Sequence, residues 1–316
     1  MKKAFTLLEL IVVIVIVGIL SLMGVEISLN IYRGYLQSRS INTLEAQTEL
    51  VLEQISKRLA ARIKSSTIGR RDAATFVSTQ DPNLNSTYPI LEWVSYSYET
   101  FQNSGWSGFI DLNHANTTRT NAAGAGTIET PFSNLANAST DIANLTNNLA
   151  SLNAGNNQVG ILFRGTPINI ATSFGYNGAN ANSIGIVTGR INNTTLNIVY
   201  PAGSQISEQY YLLHTAYAVV PTNAAGGIMQ PGAAESDFTL MLHYNYRPWI
   251  AGAQNQFNGV STSRAVLATN VTRFNFSEAN GIIILKLCIR DGNRSLGTRN
   301  GVNEAEATVC KTKAIY

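Results

Sequence analysis

Residues 1–29 read MKKAFTLLELIVVIVIVGILSLMGVEISL, and this stretch decides how the rest of the chain is arranged. Two lysines open it, and an almost unbroken apolar run follows from Phe5 to Val25, interrupted by the polar side chains of Thr6, Glu9 and Ser21. As a helix, these 21 residues rise about 31 Å, which is enough to cross the hydrocarbon core of a bilayer. We therefore expect one membrane-spanning helix at the N-terminus.

Glu9 is an ionisable side chain inside this apolar run. A carboxylate in a spanning helix costs at least about 2–3 kcal/mol, so it should sit at the interface or meet a positive partner. If the chain is cut after Ala4, the new amine of Phe5 lies four residues before Glu9 on the same helix face, and the Phe5 amine of a neighbouring chain could also reach it. The alternative is a glutamate that snorkels to the interface of an ordinary signal anchor.

The string KKAFTLLE at residues 2–9, with the apolar run directly behind it, resembles the leader and N-terminus of type IV pilins and type II secretion pseudopilins. The resemblance implies that a prepilin peptidase removes residues 1–4 by cutting between Ala4 and Phe5, and that the Phe5 amine is then methylated. It also implies that Glu9 guides the docking of a new subunit. Ala4 stands where glycine is usual, a variant that the family tolerates, and no proline lies near residues 24–26, where many major pilins kink.

The same resemblance implies the partners: other pilin or pseudopilin subunits, the prepilin peptidase, an inner-membrane assembly platform and membrane lipid. A strand pair at residues 271–276 and 281–287 also resembles the late strands of larger minor pilins and J-type pseudopilins. The resemblance implies a non-enzymatic structural subunit of a type IV pilus or of a type II secretion pseudopilus, and the size of the chain and its long loops favour a minor subunit over a major one. The alternative is a signal-anchored periplasmic binding or envelope protein that stays outside filaments.

Composition and charge bound the function and the compartment. The chain has 316 residues, a net charge of +3 and 13% charged residues, so no direct nucleic-acid binding is expected. Lys2 and Lys3 precede the span and the next basic residue is Arg33, which places the N-terminus in the cytoplasm and everything after about residue 29 outside. The resemblance then implies a single-pass protein of the bacterial inner membrane with its globular domain in the periplasm. Cys288 and Cys310 then lie in an oxidising compartment.

The two cysteines allow a single pairing, Cys288 with Cys310. Closing the loop between them would stabilise the fold by about 3 kcal/mol in the chain-entropy model. Two free, buried thiols are the alternative.

The pattern after the anchor predicts an α+β fold. Apolar residues recur at helical spacing up to Ile63, so we expect one long helix over residues 5–64, with residues 5–28 in the membrane and the amphipathic second half covered on one stripe. Residues 65–316 should form a globular domain of about eight strands in antiparallel meanders, with residues 93–100 as a half-buried strand. Asn192-Asn193 and Asn280-Gly281 are expected hairpin turns.

Residues 112–157 differ in composition from the rest of the domain. They are rich in Asn, Ala and Thr, with few large apolar side chains, and we expect a surface insertion or mobile loop, with a short helix over residues 139–152. A tolerated insertion is the simpler interpretation, and a partner-specificity loop is the functional alternative.

No pattern in the sequence indicates catalysis. The three histidines lie far apart, no nucleophile elbow or phosphate loop occurs, and we expect neither enzymatic activity nor a cofactor. Oxygen side chains alternate over residues 291–297 as in a calcium loop, but the twelfth position is Val302 rather than a glutamate. Arg294 and Arg299 would also repel the ion, so a plain turn is favoured and calcium is left open.

Overall fold

One long helix and one large sheet form the framework of the protein. The computed structural model describes residues 7–119, 124–201, 205–223, 226–229, 237–292, 298–299, 302–303 and 307–316. Helix α1 (Leu7–Ala60) has 54 residues and is about 80 Å long. Its second half packs on a mostly antiparallel sheet, which confirms the expected α+β fold.

The described chain contains fourteen strands and two further short helices. The helices are α2 (Tyr98–Gln102) and α3 (Leu135–Leu145). The strands are β1 (Ile68–Arg70), β2 (Phe76–Ser78), β3 (Ile90–Tyr96), β4 (Ala125–Glu129), β5 (Gly160–Phe163), β6 (Gly185–Arg190), β7 (Thr195–Val199), β8 (Tyr210–Thr222), β9 (Phe238–Tyr246), β10 (Ser263–Ala279), β11 (Ile282–Arg290), β12 (Thr298–Arg299), β13 (Val302–Asn303) and β14 (Thr308–Ile315).

Twelve of these strands form one sheet, and nine of the twelve follow the order β14-β11-β10-β9-β8-β5-β6-β7-β4. β3 pairs with β8, β1 pairs with β3 and β2 pairs with β1, while β12 and β13 form a separate ribbon. Every one of these pairs is antiparallel. The expected strand number of about eight is too low. β1, β2, β12 and β13 have two or three residues, too few for a recognisable alternation, β4 lies in the segment expected to be a loop, and β14 was not recognised.

Both expected hairpins form. Asn280 and Gly281 have φ angles of 52° and 77°, the left-handed pair that a tight turn between β10 and β11 requires. Between β6 and β7, the Asn192 side chain accepts hydrogen bonds from the backbone N–H groups of Thr194 and Thr195. Asparagine suits both turns because it tolerates positive φ and can bond its own backbone.

Helix α1 ends earlier than the sequence pattern predicts. Its last α-helical residue is Ala60, and a short 3-10 turn, Lys64–Ser66, follows. The intervening backbone leaves the helix to join β3: Ile63 N–H donates to Val94 O at 2.9 Å, and Arg62 bridges Ser95. The apolar period continues to Ile63 because that side chain is buried in the sheet domain, not because the helix continues.

Residues 112–157 are folded into the domain, unlike the loose surface segment expected. They supply β4 and α3, and their buried apolar residues join a core shared with β5 to β8: Ile128, Leu135, Ala138, Ile142, Ala150 and Leu152. Buried hydroxyls of the segment are hydrogen-bonded: Thr146 Oγ1 donates to Ile142 O at 2.7 Å within it, and Thr130 Oγ1 donates to Thr194 O at 2.9 Å outside it. Four large apolar side chains of the segment reach this core together with two alanines, so its low share of large apolar residues was a misleading signal.

Candidate assembly interface

The first half of α1 projects from the domain. Between Leu7 and Arg39 every residue is exposed except the half-buried Leu36, a length of about 50 Å. The bulky apolar side chains from Leu7 to Leu29 are 48–78% exposed. A continuous apolar surface of this size is not left bare to water, so lipid or other helices must cover it.

In the described chain, α1 is the one helix long and apolar enough to cross a membrane. Its most apolar window has a mean hydropathy of 2.9, and no part of that window is buried in the protein. Charges bracket the apolar run: Glu9 lies in the first turn, Glu26 follows the run, and Arg33 is the next basic residue. A negative side chain in the first turn also suits the positive end of the helix dipole.

Glu9 shares its helix face with Val13, Ile16 and Leu20, which follow at spacings of four, seven and eleven residues. The carboxylate thus lies at one end of an otherwise apolar stripe. The predicted cleavage and methylation residues, Ala4 and Phe5, lie outside the described residues.

The second half of α1 is fixed to the sheet by an apolar stripe. The buried residues repeat at helical spacing: Ser40, Leu44, Thr48, Val51, Leu52, Ile55 and Leu59. They pack against strand residues of β3, β8, β9, β10, β11 and β14, among them Trp93, Leu240 and Leu285. The helix therefore cannot swing independently of the domain.

Ion pairs to the terminal strand β14 reinforce this docking. Lys311 Nζ lies 3.2 Å from Glu49, Lys313 Nζ lies 3.5 Å from Glu49, and Lys313 also pairs with Glu53. The hydrogen bond from Lys311 lowers the pKa of the Glu49 carboxyl, and the one from Lys313 lowers the pKa of Glu53. These ion pairs were not expected from the sequence. The only local signal is spacing: Glu49 and Glu53 share one face of the helix, and Lys311 and Lys313 share one face of the strand.

Arg62 ties the end of the α1 segment to two distant parts of the chain. It is 5% exposed, and its guanidinium donates to Leu59 O at 3.0 Å, to Gly281 O at 2.9 Å and to Tyr316 O at 3.3 Å. Burial lowers its pKa. At the other end of the docked half, Ser40 donates a hydrogen bond to the Asp291 carboxylate.

The expected disulfide between Cys288 and Cys310 is present. The two cysteines are direct register partners on β11 and β14, with Cα atoms 4.0 Å apart. The alternative of two free thiols is therefore wrong. The bond fastens β14 to β11 on the face opposite the lysines that contact α1.

The described residues hold no arrangement that suggests catalysis or metal binding. No group of three histidine, cysteine, aspartate or glutamate side chains within them could hold a metal ion, and residues 293–297 of the possible calcium loop lie outside them. His214 and His243 are buried in β8 and β9, and burial lowers the pKa of His214 to about 4. His243 Nδ1 lies 2.7 Å from Phe257 O, a structural contact.

A family model described as the prokaryotic N-terminal methylation motif matches residues 1–25. The N-terminus is a type IV pilin and pseudopilin signature. Comparison with curated proteins and with solved structures gives no match for this chain. The pilin signature covers the leader and the first turns of α1, the same apolar part that projects from the domain, and together they fit a protein anchored in the inner membrane.

Proposed function

We propose that this chain is a minor pilin or pseudopilin, a structural subunit that enters a filament by helix packing after a prepilin peptidase has removed residues 1–4. One observation carries the proposal: the methylation motif lies on about 50 Å of bare helix that is fixed to a folded domain. A flexible anchor would only tether the domain to the membrane. A rigid helix also sets the position of the domain on a filament surface.

The driving force is the packing of like helices. Lipid tails are as apolar as leucine, so helices associate through close van der Waals contact and polar pairing rather than through the hydrophobic effect. The run from Leu10 to Val25 carries one polar side chain, Ser21, whose hydroxyl bonds Val17 O within the helix. Glu9 then sets the axial register by pairing with the Phe5 amine of a neighbour.

The proposed orientation follows from the charges that flank the apolar run. Lys2 and Lys3 keep the N-terminus in the cytoplasm, where the peptidase cuts, and the sheet domain lies in the periplasm. The Cys288–Cys310 disulfide is consistent with that compartment. The proposed role needs neither a cofactor nor enzymatic activity, because assembly requires only helix packing and one ion pair between subunits.

The size of the domain supports a minor subunit. The residues from β4 to β8 form a second core beside the one under α1, and a large domain limits how densely subunits can repeat along a filament. We therefore assign the chain to a low-copy position, at or near the tip.

Variants of Glu9 test the proposal. Glu9→Leu should insert into the membrane and be processed like wild type, because it removes a charge from a helix that already spans. Its recovery in sheared or cross-linked filaments should fall by orders of magnitude, because each docking step loses a few kcal/mol when the Phe5 amine is left unpaired. Glu9→Asp keeps the charge on a side chain shorter by one methylene, and its recovery in filaments should lie between those of wild type and Glu9→Leu.

Equal filament recovery of wild type and Glu9→Leu would contradict the filament role. The control is Glu26→Leu, which removes the charge at the other end of the same apolar run. It should leave processing and assembly much less affected, because no amine is expected opposite that position.

A groove beside α1 supports a second candidate function, a signal-anchored binding protein. It has a volume of about 990 Å³, and its lining includes Tyr217, Leu242 and Tyr244 from the sheet, with Arg58 and Glu99 from α1 and α2. Aromatic rings with a few charges are a common lining for ligand sites. A mature chain that still begins at Met1 and stays out of filaments would favour this role.

A further inference from the structure

The sheet has three terminal strands, β2, β4 and β14, and the two at the ends of its longest run, β4 and β14, are treated differently. β4 ends one side, and the segment 111–118 covers its outer edge: Thr118 N–H donates to Thr127 O at 2.8 Å and Asp111 N–H to Glu129 O at 3.0 Å. β14 ends the other side. Among the described residues, no backbone group outside β11 bonds to Thr308–Ile315.

β14 is nevertheless held firmly in place. On one face, the Cys310 sulfur is bonded to Cys288 of β11, and on the other face Lys311 and Lys313 pair with carboxylates of α1. Lysines on an edge strand usually protect it from other strands. Here both lysines are turned onto α1, so their charges are engaged and the eight-residue edge stays accessible as a rigid template.

We propose that the outer edge of β14 binds an extended segment of a different protein, which adds a strand to the sheet. Main-chain hydrogen bonds supply the affinity in this mode of recognition, and side chains at alternate positions supply the specificity. The inference rests on the proposed filament role in one respect. It assumes that the chain meets its partner while α1 has the same orientation in the membrane as the helices of the other subunits.

A second copy of this chain does not fit the edge. An antiparallel pair of two β14 strands needs a two-fold axis perpendicular to the sheet, which would point the two α1 helices in opposite directions, whereas copies in one membrane share one direction. A parallel pair would need a two-fold axis along the strands, which turns the same residue of the two copies to opposite faces of the sheet. In a pleated sheet, however, residues paired across two strands point to the same face. Pairing β14 with β4 of another copy is blocked by the 111–118 segment, and β2, the third terminal strand, has three residues against the eight of β14.

The faces of the template indicate the chemistry of the added strand. Away from α1, β14 presents Thr308, Cys310, Thr312 and Ala314, which are uncharged and exposed. The neighbouring strands add the exposed cations Lys286 and Arg273 on that side, at positions that pair with Thr312 and Cys288. The fitting segment has about eight residues, small or β-branched side chains against β14, and carboxylates on the side of these cations.

Site-specific cross-linking in cells that assemble filaments tests the proposal. A photoreactive side chain is placed at Thr312 or at Ala314 of the full-length chain, and cross-linked peptides are mapped by mass spectrometry. The two positions should reach residues two apart in one segment of another protein, because side chains alternate along a strand. The control position is Val199 on β7, which is 42% exposed. Because β7 is paired on both edges, Val199 should give no pair of cross-links to residues two apart in another protein.

Charge provides an independent readout. Lys286→Glu should reduce the Thr312 cross-link several-fold, whereas Arg264→Glu, on the part of β10 that lies beyond the end of β11, should not. Cross-links to residues 293–306 of the same chain, to β14 of another copy, or to no protein at all would overturn the proposal. Filament recovery from the same cells separates its failure from a failure of the filament role.

Discussion

Arg70 and Glu92 form a fully buried salt bridge between β1 and β3. Arg70 Nε lies 2.5 Å from Glu92 Oε2, and the Tyr246 hydroxyl donates to the other carboxylate oxygen at 2.9 Å. The guanidinium also donates to Tyr176 O at 3.0 Å and lies 5.0 Å from the centre of the Phe76 ring. The charges are thus satisfied on every side, as burial in a medium of low dielectric requires.

Removing one partner of this pair should be costly. Glu92→Ala leaves a buried guanidinium without its counter-charge, and we expect a loss of about 3–5 kcal/mol in the free energy of unfolding. The double variant Arg70→Met with Glu92→Leu should recover most of that loss, because it removes both charges and keeps apolar volume. Thermal unfolding of the full chain in detergent, followed by near-UV circular dichroism, measures the difference. Equal stability of Glu92→Ala and wild type would contradict this account of the core.

The sequence could not reveal this pair. Alternation over residues 93–100 predicts a half-buried strand, yet β3 is buried along almost its whole length, because α1 covers one face and a third core containing Tyr176 and Phe257 covers the other. When only one face of the strand is assumed to be buried, a polar residue such as Glu92 is assigned to the face that contacts solvent. The residues of the methylation signature were recognisable for the opposite reason: their spacing is local and each has a distinct charge or size.

At the scale of elements, α1 could be predicted and its mode of docking could not. The apolar stripe of its second half repeats locally and is visible in the sequence. The ion pairs with β14 join residues about 260 positions apart, and no local pattern connects them. The helix end at Ala60 was missed for the same reason, since the pairing of Arg62 and Ile63 with β3 ends it.

The ion pairs between α1 and β14 should depend on pH and salt. The lysines lower the pKa of the Glu49 and Glu53 carboxyls in the folded protein. The ion pairs therefore stabilise the docking of α1 at pH values above the ordinary glutamate pKa of 4.5, and this stabilisation is lost as the pH falls through the lowered pKa values. Lys313→Gln should therefore lower the melting temperature at pH 7, and the difference from wild type should shrink towards pH 3 and in high salt. The groups are about half exposed, so the effect is small.

Lys57→Gln is the matched control for this prediction. Lys57 pairs with Glu53 at 3.9 Å within α1 and makes no ion pair with β14. Its removal should leave the docking of α1 nearly unchanged. A difference between wild type and Lys313→Gln that persists unchanged at pH 3 would show that the ion pairs do not support docking.

At the scale of the whole molecule, the chain is an apolar rod fixed to a broad sheet domain. The class of fold followed from the sequence, because a long anchor, an amphipathic continuation and many short β-rich runs leave few arrangements. The order of the strands did not follow, because pairs such as β5 with β8 join segments far apart in the chain. Residues 112–157 were expected to form a loose insertion because they contain few large apolar residues, but those few pack into a core that β5 to β8 complete.

The central claim is that this chain is cut before Phe5 and then assembles through α1. The most direct measurement is a mass spectrum of the N-terminal peptide of the chain recovered from sheared or cross-linked filaments. The account predicts a peptide that lacks Met1–Ala4 and begins with methylated Phe5. A chain that still begins at Met1 in cells containing the prepilin peptidase, and that is found only in the membrane fraction, would contradict it.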